Sequence, residues 1–296
     1  MTSPTAASAP VSAGRIRARR IRFSFPSGTL DRHFVDDDLI MSHAVAILSA
    51  VFPEGEDFFV RSVRHYSGRI TDPELRSQVA GFIGQEVTHG REHRNINERL
   101  QQMGYPAHAI DRFARRGLAL AGWLLPHRLT LAMTAAFEHY TATLADLLLT
   151  SPKARALLTS DEVRALLLWH AYEEVEHKAV AFDVYRYIGG GEALRIWTMR
   201  AITVIFVGFV IGATTVSLAK DKATYNPWRL LRSLAALRHS PWLTLGVLRE
   251  LRTYNRRGFH PNDNETKELI KRWRTELFGK QGALAGHLTS RFTSDD

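Results

Sequence analysis

From Asp36 onward, apolar positions recur every three to four residues in long blocks separated by proline, glycine and capping residues, the pattern of amphipathic helices. The Asp36-Asp37-Asp38 cluster suits a helix N-terminus, and Leu39, Ile40, His43, Ala44, Ile47 and Leu48 follow on one side. Pro53 interrupts this block. Because proline is tolerated in a first helical turn, a fresh helix or a kinked continuation starts there and runs through Phe59, Val60 and Val63 to Gly68. Thr71-Asp72-Pro73-Glu74 opens a second helix with a cap, a proline and a glutamate, and Gly104 and Pro106 close it. A short helix around Ile110 to Trp123 leads to Pro126, and a third long helix carries Leu131, Thr134, Glu138, Thr141, Ala142 and Ala145. Thr159 or Ser160 caps a fourth, which runs to the Gly189-Gly190-Gly191 stop. Residues 192 to 219 form an apolar helix, Pro227 and Pro241 start two short amphipathic ones, and a last helix spans about Glu265 to Phe278. Strand signals are almost absent, so the chain is predicted to be all-α. It divides into a disordered tail and basic arm (1–35), a helical bundle (36–191), an apolar helix with basic amphipathic helices (192–280) and a loose tail (281–296).

Composition narrows the chemistry. The 296 residues can bury a sizeable core without demanding two domains. Absence of cysteine excludes disulfides, iron–sulfur clusters and thiolate zinc sites, leaving histidine and carboxylate as the strong metal ligands. The opening MTSPTAASAPVSAG lacks the charged start and apolar run of a secretory signal, so a cytoplasmic location is expected. The formal net charge of +9 is concentrated in Arg15, Arg17, Arg19, Arg20 and Arg22 and again beyond Lys220. No nucleic-acid module accompanies it, which leaves an anionic membrane surface, or simple solubility, as its purpose.

The chemistry lies in a doubled spacing. Glu86-Val87-Thr88-His89 and Glu174-Val175-Glu176-His177 each place a carboxylate and an imidazole one helical turn apart, on one face. Single glutamates precede both copies, Glu56 by thirty residues and Glu138 by thirty-six. At about 1.5 Å per residue, such separations fit a helix, a tight turn and a return to the same depth on an antiparallel neighbour. Four helices can therefore converge on one centre. His170 stands four residues before Glu174 on the same face, and His93 shares the face of Glu86 and His89 as a further candidate. Glu173 and Glu176 read as solvated, while Asp146 and Asp183 could orient imidazoles. Burying four carboxylates together is very costly unless cations neutralise them.

This arrangement resembles the ferritin-like di-iron and di-manganese carboxylate proteins, which implies a ferritin-like four-helix bundle with additional C-terminal helices. His170 looks like the extra histidine ligand of bacterial arylamine N-oxygenases. The phrases FPEGEDFF, FIGQEVTHGREHRNIN and WHAYEEVEHKAVAFDVY together resemble a family of bacterial proteins described as predicted metal-dependent hydrolases. The resemblance implies two iron ions, or manganese, bridged by Glu86 and Glu174. Glu56 and His89 would complete one ion, and Glu138 and His177 the other, with His170 joining the second. It further implies an oxidoreductase that activates dioxygen to oxygenate, hydroxylate or desaturate a small molecule, with an external electron donor.

Two competing readings use the same residues. His89-Gly90-Arg91-Glu92-His93 spells His-x-x-Glu-His, in which two histidines bind zinc and the glutamate acts as general base, with Glu174 as third ligand of a mononuclear hydrolase. A non-catalytic ferritin-like iron-handling protein is the other. Beyond the bundle, AITVIFVGFVIGATTVSLA from Ala201 to Ala219 carries no charge and lies between Arg200 and Lys220. It is just long enough to cross a bilayer core of about 30 Å, and equally compatible with a buried core helix. Trp228 and Trp242 among arginines read as interfacial. These features lead to the expectation of a protein associated with or inserted in the inner membrane, a lipophilic substrate, and either a monomer or a homodimer.

Overall fold

The computed structural model describes residues 16–289. The fold is all-α. Four helices form the central bundle: α1 (Leu39–Ser67), α2 (Pro73–Gln102), α4 (His127–Thr150) and α6 (Asp161–His177). Between α2 and α4 lies α3 (Ala107–Leu124), and the short α5 (Pro152–Ala156) joins α4 to α6. Beyond the bundle follow α7 (Val180–Tyr187), α8 (Glu192–Ala219), α9 (Pro227–Leu237), α10 (Leu245–Thr253) and α11 (Lys267–Phe278).

The helices begin where side chains satisfy the free N–H groups of a first turn. Asp38 accepts from Met41 N–H, Asp72 from Leu75 N–H, and Ser160 from Val163 N–H. Pro53 does not end α1, which continues through it as one helix. The fourth predicted helix, by contrast, is two. It stops at His177, turns at Lys178 and Ala179, and restarts as α7. Neither glycine nor proline marks the break; Lys178 Nζ donates to Asn264 O at 2.7 Å across it.

α1 packs beside α2, α4 beside α6, and the two pairs close through α1 with α4 and α2 with α6. Both faces of this ring are covered. α8 lies on α1 and α4, and α3 lies chiefly on α1. On the α2–α6 side runs the arm 16–38, which is packed rather than loose, with Ile16, Ile21, Phe23, Phe34 and Val35 buried. Gly81 and Gly84 make room for it: a Cβ at Gly81 would meet Ile16 O at 2.5 Å, and one at Gly84 would meet the Ala18 Cβ at 2.5 Å. Burying a phenylalanine contributes roughly 1.5–3 kcal/mol, so Phe23 and Phe34 anchor the basic arm to the bundle. Residues 281–289 are likewise not a loose tail: Arg22 N donates to His287 O at 3.0 Å, Thr289 N to Arg20 O at 2.9 Å, and Leu284 is buried. The expected disordered N-terminal tail and the end of the expected loose C-terminal tail, residues 1–15 and 290–296, lie outside the described residues.

Two apolar clusters occupy opposite ends of the bundle. One gathers the arm, the end of α2, the start of α6 and α11 around Trp169. The other gathers the middle of α1, the starts of α2 and α4, α7 and α8 around Phe82 and Tyr185. The polar centre sits between them.

Candidate metal centre

Glu56 on α1, Glu86 and His89 on α2, Glu138 on α4, and His170, Glu174 and His177 on α6 all point into the bundle, none more than 5% exposed. They form overlapping groups of three whose donor atoms lie within 4.8 Å of one another: Glu56, Glu86 and His89; His89, His170 and Glu174; and Glu86, Glu138 and His177. Glu86 belongs to groups at both ends. Glu174 also reaches both, its Oε1 lying 2.9 Å from His170 Nε2, 3.5 Å from His89 Nδ1 and 3.6 Å from His177 Nε2.

These atoms converge without pairing. Both carboxylate oxygens of Glu56, Glu86 and Glu138, Oε2 of Glu174, Nδ1 of His89 and Nε2 of His177 are buried with no hydrogen-bond partner among the described residues. His177 Nε2 lies 3.0 Å from Glu86 Oε1, yet off the line of a hydrogen bond. Burying so many polar atoms unpaired costs several kcal/mol each, and cations bound at these atoms would remove that cost. The residues present therefore fit a metal: oxygen-rich donors, imidazoles, and orphaned lone pairs aimed at a common volume.

Protonation reflects the same crowding. Burial, then the charge of Glu86, drives Glu56 well above the usual carboxylate range, and the same two causes push Glu138 up to about 8. Burial also works against charge on Glu174, but His177 and the facing imidazoles of His170 and His89 outweigh it and hold Glu174 well below its ordinary value. His177 and His89 are raised against burial by these carboxylates and by Glu173, His89 to about 10. Burial and neighbouring imidazoles lower His93 and His170.

A further layer of groups holds the rings. His89 Nε2 meets Glu173 Oε2 at 3.0 Å, which leaves Nδ1 facing the centre. His177 Nδ1 meets Gln85 Oε1 at 2.8 Å, which leaves Nε2 facing it. Glu173 and Glu176, expected to be solvated, are instead buried and half-buried respectively, and clamped by Arg19 from the arm at 2.8 and 2.9 Å. Gln85 Nε2 donates to Glu176 Oε2 at 2.7 Å, so one network of Arg19, Glu173, Glu176 and Gln85 orients both imidazoles. Only the Glu-x-x-His register hinted at it, since Glu173 and Glu176 flank Glu174.

His93 takes a supporting place. Ser49 Oγ donates to Asn97 Oδ1 at 2.8 Å, so it accepts from His93 Nδ1–H at 2.9 Å. His93 Nε2 then accepts from His170 Nδ1–H at 2.7 Å, and His170 Nε2 keeps its lone pair for the centre. His170 itself lies with Glu56 and His89, its Nε2 3.9 Å from Glu56 Oε1, rather than with Glu138 and His177 as the resemblance implied. Asp183 and Asp146 orient no ligand. Asp183 pairs with His260 at 2.8 Å, and Asp146 faces Lys178 beside a small cavity outside the centre. Glu92, the base required by a His-x-x-Glu-His hydrolase, also faces away, accepting from Phe23 N at 2.9 Å and Arg91 Nε at 2.7 Å.

A family model described as predicted metal-dependent hydrolase matches residues 17–265. The chain belongs to this family. No curated protein and no solved structure matches it. The family description and the buried histidine and glutamate groups agree on dependence on a metal ion. A separate buried group outside the centre, His33, His43 and Asp221, is closed by the protein itself. Asp221 Oδ2 sits 2.9 Å from Arg32 Nε, 3.0 Å from His33 Nε2 and 3.1 Å from His43 Nε2, fastening the end of α8 to the arm and α1.

Proposed function

We propose that this member of the family is an oxidoreductase with a dinuclear non-haem centre of iron, or of manganese, held by Glu56, Glu86, His89, Glu138, His170, Glu174 and His177. It activates dioxygen to oxygenate, hydroxylate or desaturate a lipophilic small molecule. The observation that supports this best is the convergence of unpartnered carboxylate and imidazole atoms from four helices, with Glu86 and Glu174 reaching both ends. Oxygen-rich donor sets with imidazole suit iron or manganese, whereas structural zinc prefers a closed tetrahedron richer in nitrogen or sulfur. When bound, a pair of such ions supplies reducing equivalents and open coordination positions for oxygen.

The protein's own residues provide the setting. Glu173 and Gln85 fix which nitrogen of His89 and of His177 faces inward, and His93 does so for His170. Phe52, Phe82 and Trp169 pack against His170, His177 and His89, with ring centroids 4.8–5.0 Å apart, and keep water from the centre. In an oxygenation, one oxygen atom enters the substrate while two electrons and two protons from an external donor convert the other to water.

The family description favours a second reading, hydrolysis at the same donors, in which a bound ion lowers the pKa of water to make a nucleophile. Metal analysis of anaerobically purified protein separates the two. Two iron or manganese ions per chain, reduced in number by Glu138→Ala, together with substrate-dependent oxygen consumption, are expected. Tightly held zinc, with no oxygen uptake by the iron-reconstituted protein and ester or amide cleavage by the zinc form, would overturn the oxidoreductase reading.

A further inference from the structure

The apolar helix α8 is neither buried in the core nor free to leave the bundle. Only 17% of its most apolar window is buried. Its inner face is nonetheless committed: Arg195 is fully buried and its Nη2 donates to Arg256 O at 2.8 Å, Thr203 Oγ1 accepts from Tyr140 Oη at 2.7 Å, and Ser217 Oγ meets His43 Nδ1 at 2.6 Å. Crossing a bilayer would break these bonds and draw α1 and α4, with Glu56 and Glu138, out of register. α8 therefore stays lying along the bundle.

Its outer face presents Val204 at 75% exposure, Ile205 at 66% and Ile211 at 63%. α3 widens this strip. Phe113 stacks on Phe209 of α8 with centroids 5.5 Å apart and planes 8° from parallel, and one face of α3 continues through Leu120, Trp123 and Leu124, each more than half exposed. No described residue covers these side chains. The strip has polar-aromatic ends: Trp197, under the Arg200 guanidinium at 4.9 Å, marks the start of α8, while Tyr225, bonded to Ala219 O at 2.8 Å, and Lys220 mark its finish. Within 192–253 there are nine lysines and arginines against three acids, and α3 has three arginines against one aspartate. Arg195, Arg229, Arg232 and Arg115 are taken up in ion pairs, whereas Arg112, Arg116, Arg200, Lys220 and Lys222 have no ion-pair partner among the described residues.

We propose that α3 and α8 form a monotopic docking face that lies in the headgroup region of an anionic phospholipid bilayer. Tryptophan and tyrosine at the ends of an apolar strip, with arginine and lysine at its margin, match the polarity profile of a bilayer interface. A second copy of the chain fits less well. A twofold contact through this strip would bring Arg112, Arg116 and Arg200 toward their own symmetry mates.

Flotation of the full-length, metal-loaded protein with phosphatidylcholine vesicles, with and without phosphatidylglycerol, tests the proposal. Detergent-free protein is expected to float with the anionic vesicles, binding them at least roughly tenfold more tightly than neutral ones at low salt. The Val204→Glu/Ile211→Glu double variant is expected to lose flotation with unchanged helicity, since both side chains are exposed. Failure to bind anionic vesicles at low salt, equal binding to neutral ones, or a dimer in light scattering that Ile211→Glu dissociates would each overturn it.

Discussion

Removing metal from the proposed centre should make stability fall as pH rises above neutrality, and restoring metal should abolish the fall. In the metal-free chain, the carboxylates are balanced from within. Burial opposes charge on His89, but Glu173, Glu174 and Glu86 hold its pKa up to about 10, and carboxylates likewise keep His177 well above its ordinary value. Burial and Glu86 push Glu138 up to about 8. The folded chain therefore keeps protons that the unfolded chain has released, His89 and His177 from near 6.5 and Glu138 from near 4.5. Raised values of this kind contribute stability that is present at low pH and lost as pH climbs toward the folded pKa. His93 and His170, which are lowered, act below 6.5, and Lys178, lowered to about 8, acts alike in the chelated and loaded forms, so above 6.5 the raised groups set the difference between the two. Each such group gives a slope of at most about 1.4 kcal/mol per pH unit, and His89 alone is worth about 2 kcal/mol between about pH 6.5 and about pH 8.5. His177 and Glu138 add to the loss. Metal ligands must be deprotonated, so the loaded protein no longer holds these protons. Urea unfolding of chelator-treated and iron-reconstituted protein, followed anaerobically by circular dichroism at the two pH values, measures the difference. A chelated protein equally stable at both, or a loaded protein that declines as steeply, would refute the charge balance drawn here.

Three substitutions test the supports of the centre. Arg19→Met leaves buried Glu173 without its arginine and Glu176 with Arg274 alone at 3.6 Å; we expect a loss of about 3–5 kcal/mol in urea unfolding and metal affinity lower by roughly 10–100-fold in competition with a chelator. Gly90→Val places a branched side chain where a Cβ alone would lie 3.1 Å from Glu56 Oε2, so titration with ferrous ion should show one of two sites weakened while the other persists. Ser49→Ala removes the acceptor of His93 Nδ1–H, with an expected cost of about 1–3 kcal/mol. That variant should also weaken the site holding His170 more than the site holding Glu138, as read by metal stoichiometry at limiting ion.

The bounds of α1, α2 and α6 were legible at their starts because Asp38, Asp72 and Ser160 are short polar caps directly before apolar periodicity. The end of α6 was not, because the turn at Lys178 and Ala179 contains no residue that breaks a helix and follows from tertiary contacts with the 261–266 loop. Five of the seven inward residues were legible for a related reason: Glu-x-x-His and His-x-x-x-Glu are spacings within one helix, which a linear chain displays directly, while Glu56 and Glu138 followed from their thirty- and thirty-six-residue separations from the two copies. What holds them was hidden. Arg19 comes from a segment without helical or strand period, and the glycines that admit it, Gly81 and Gly84, look like ordinary interruptions of α2 until the arm is laid against them.

The placement of His170 shows where this limit falls. Spacing puts His170, Glu174 and His177 on one face of α6, and a helix rises about 10 Å over the seven residues from first to last. Which end of the centre His170 serves then depends on the depth at which α1 presents Glu56 and α2 presents His89 against it. That depth is set by packing between helices, through Phe52 against the rings of His93 and His170 and through the Ser49–His93 bond that ties α1 to α2. None of those contacts joins residues close in sequence. The same packing sets His93 behind His170, converting what read as a possible ligand, and as half of a hydrolase motif, into the group that decides which nitrogen of His170 faces the centre.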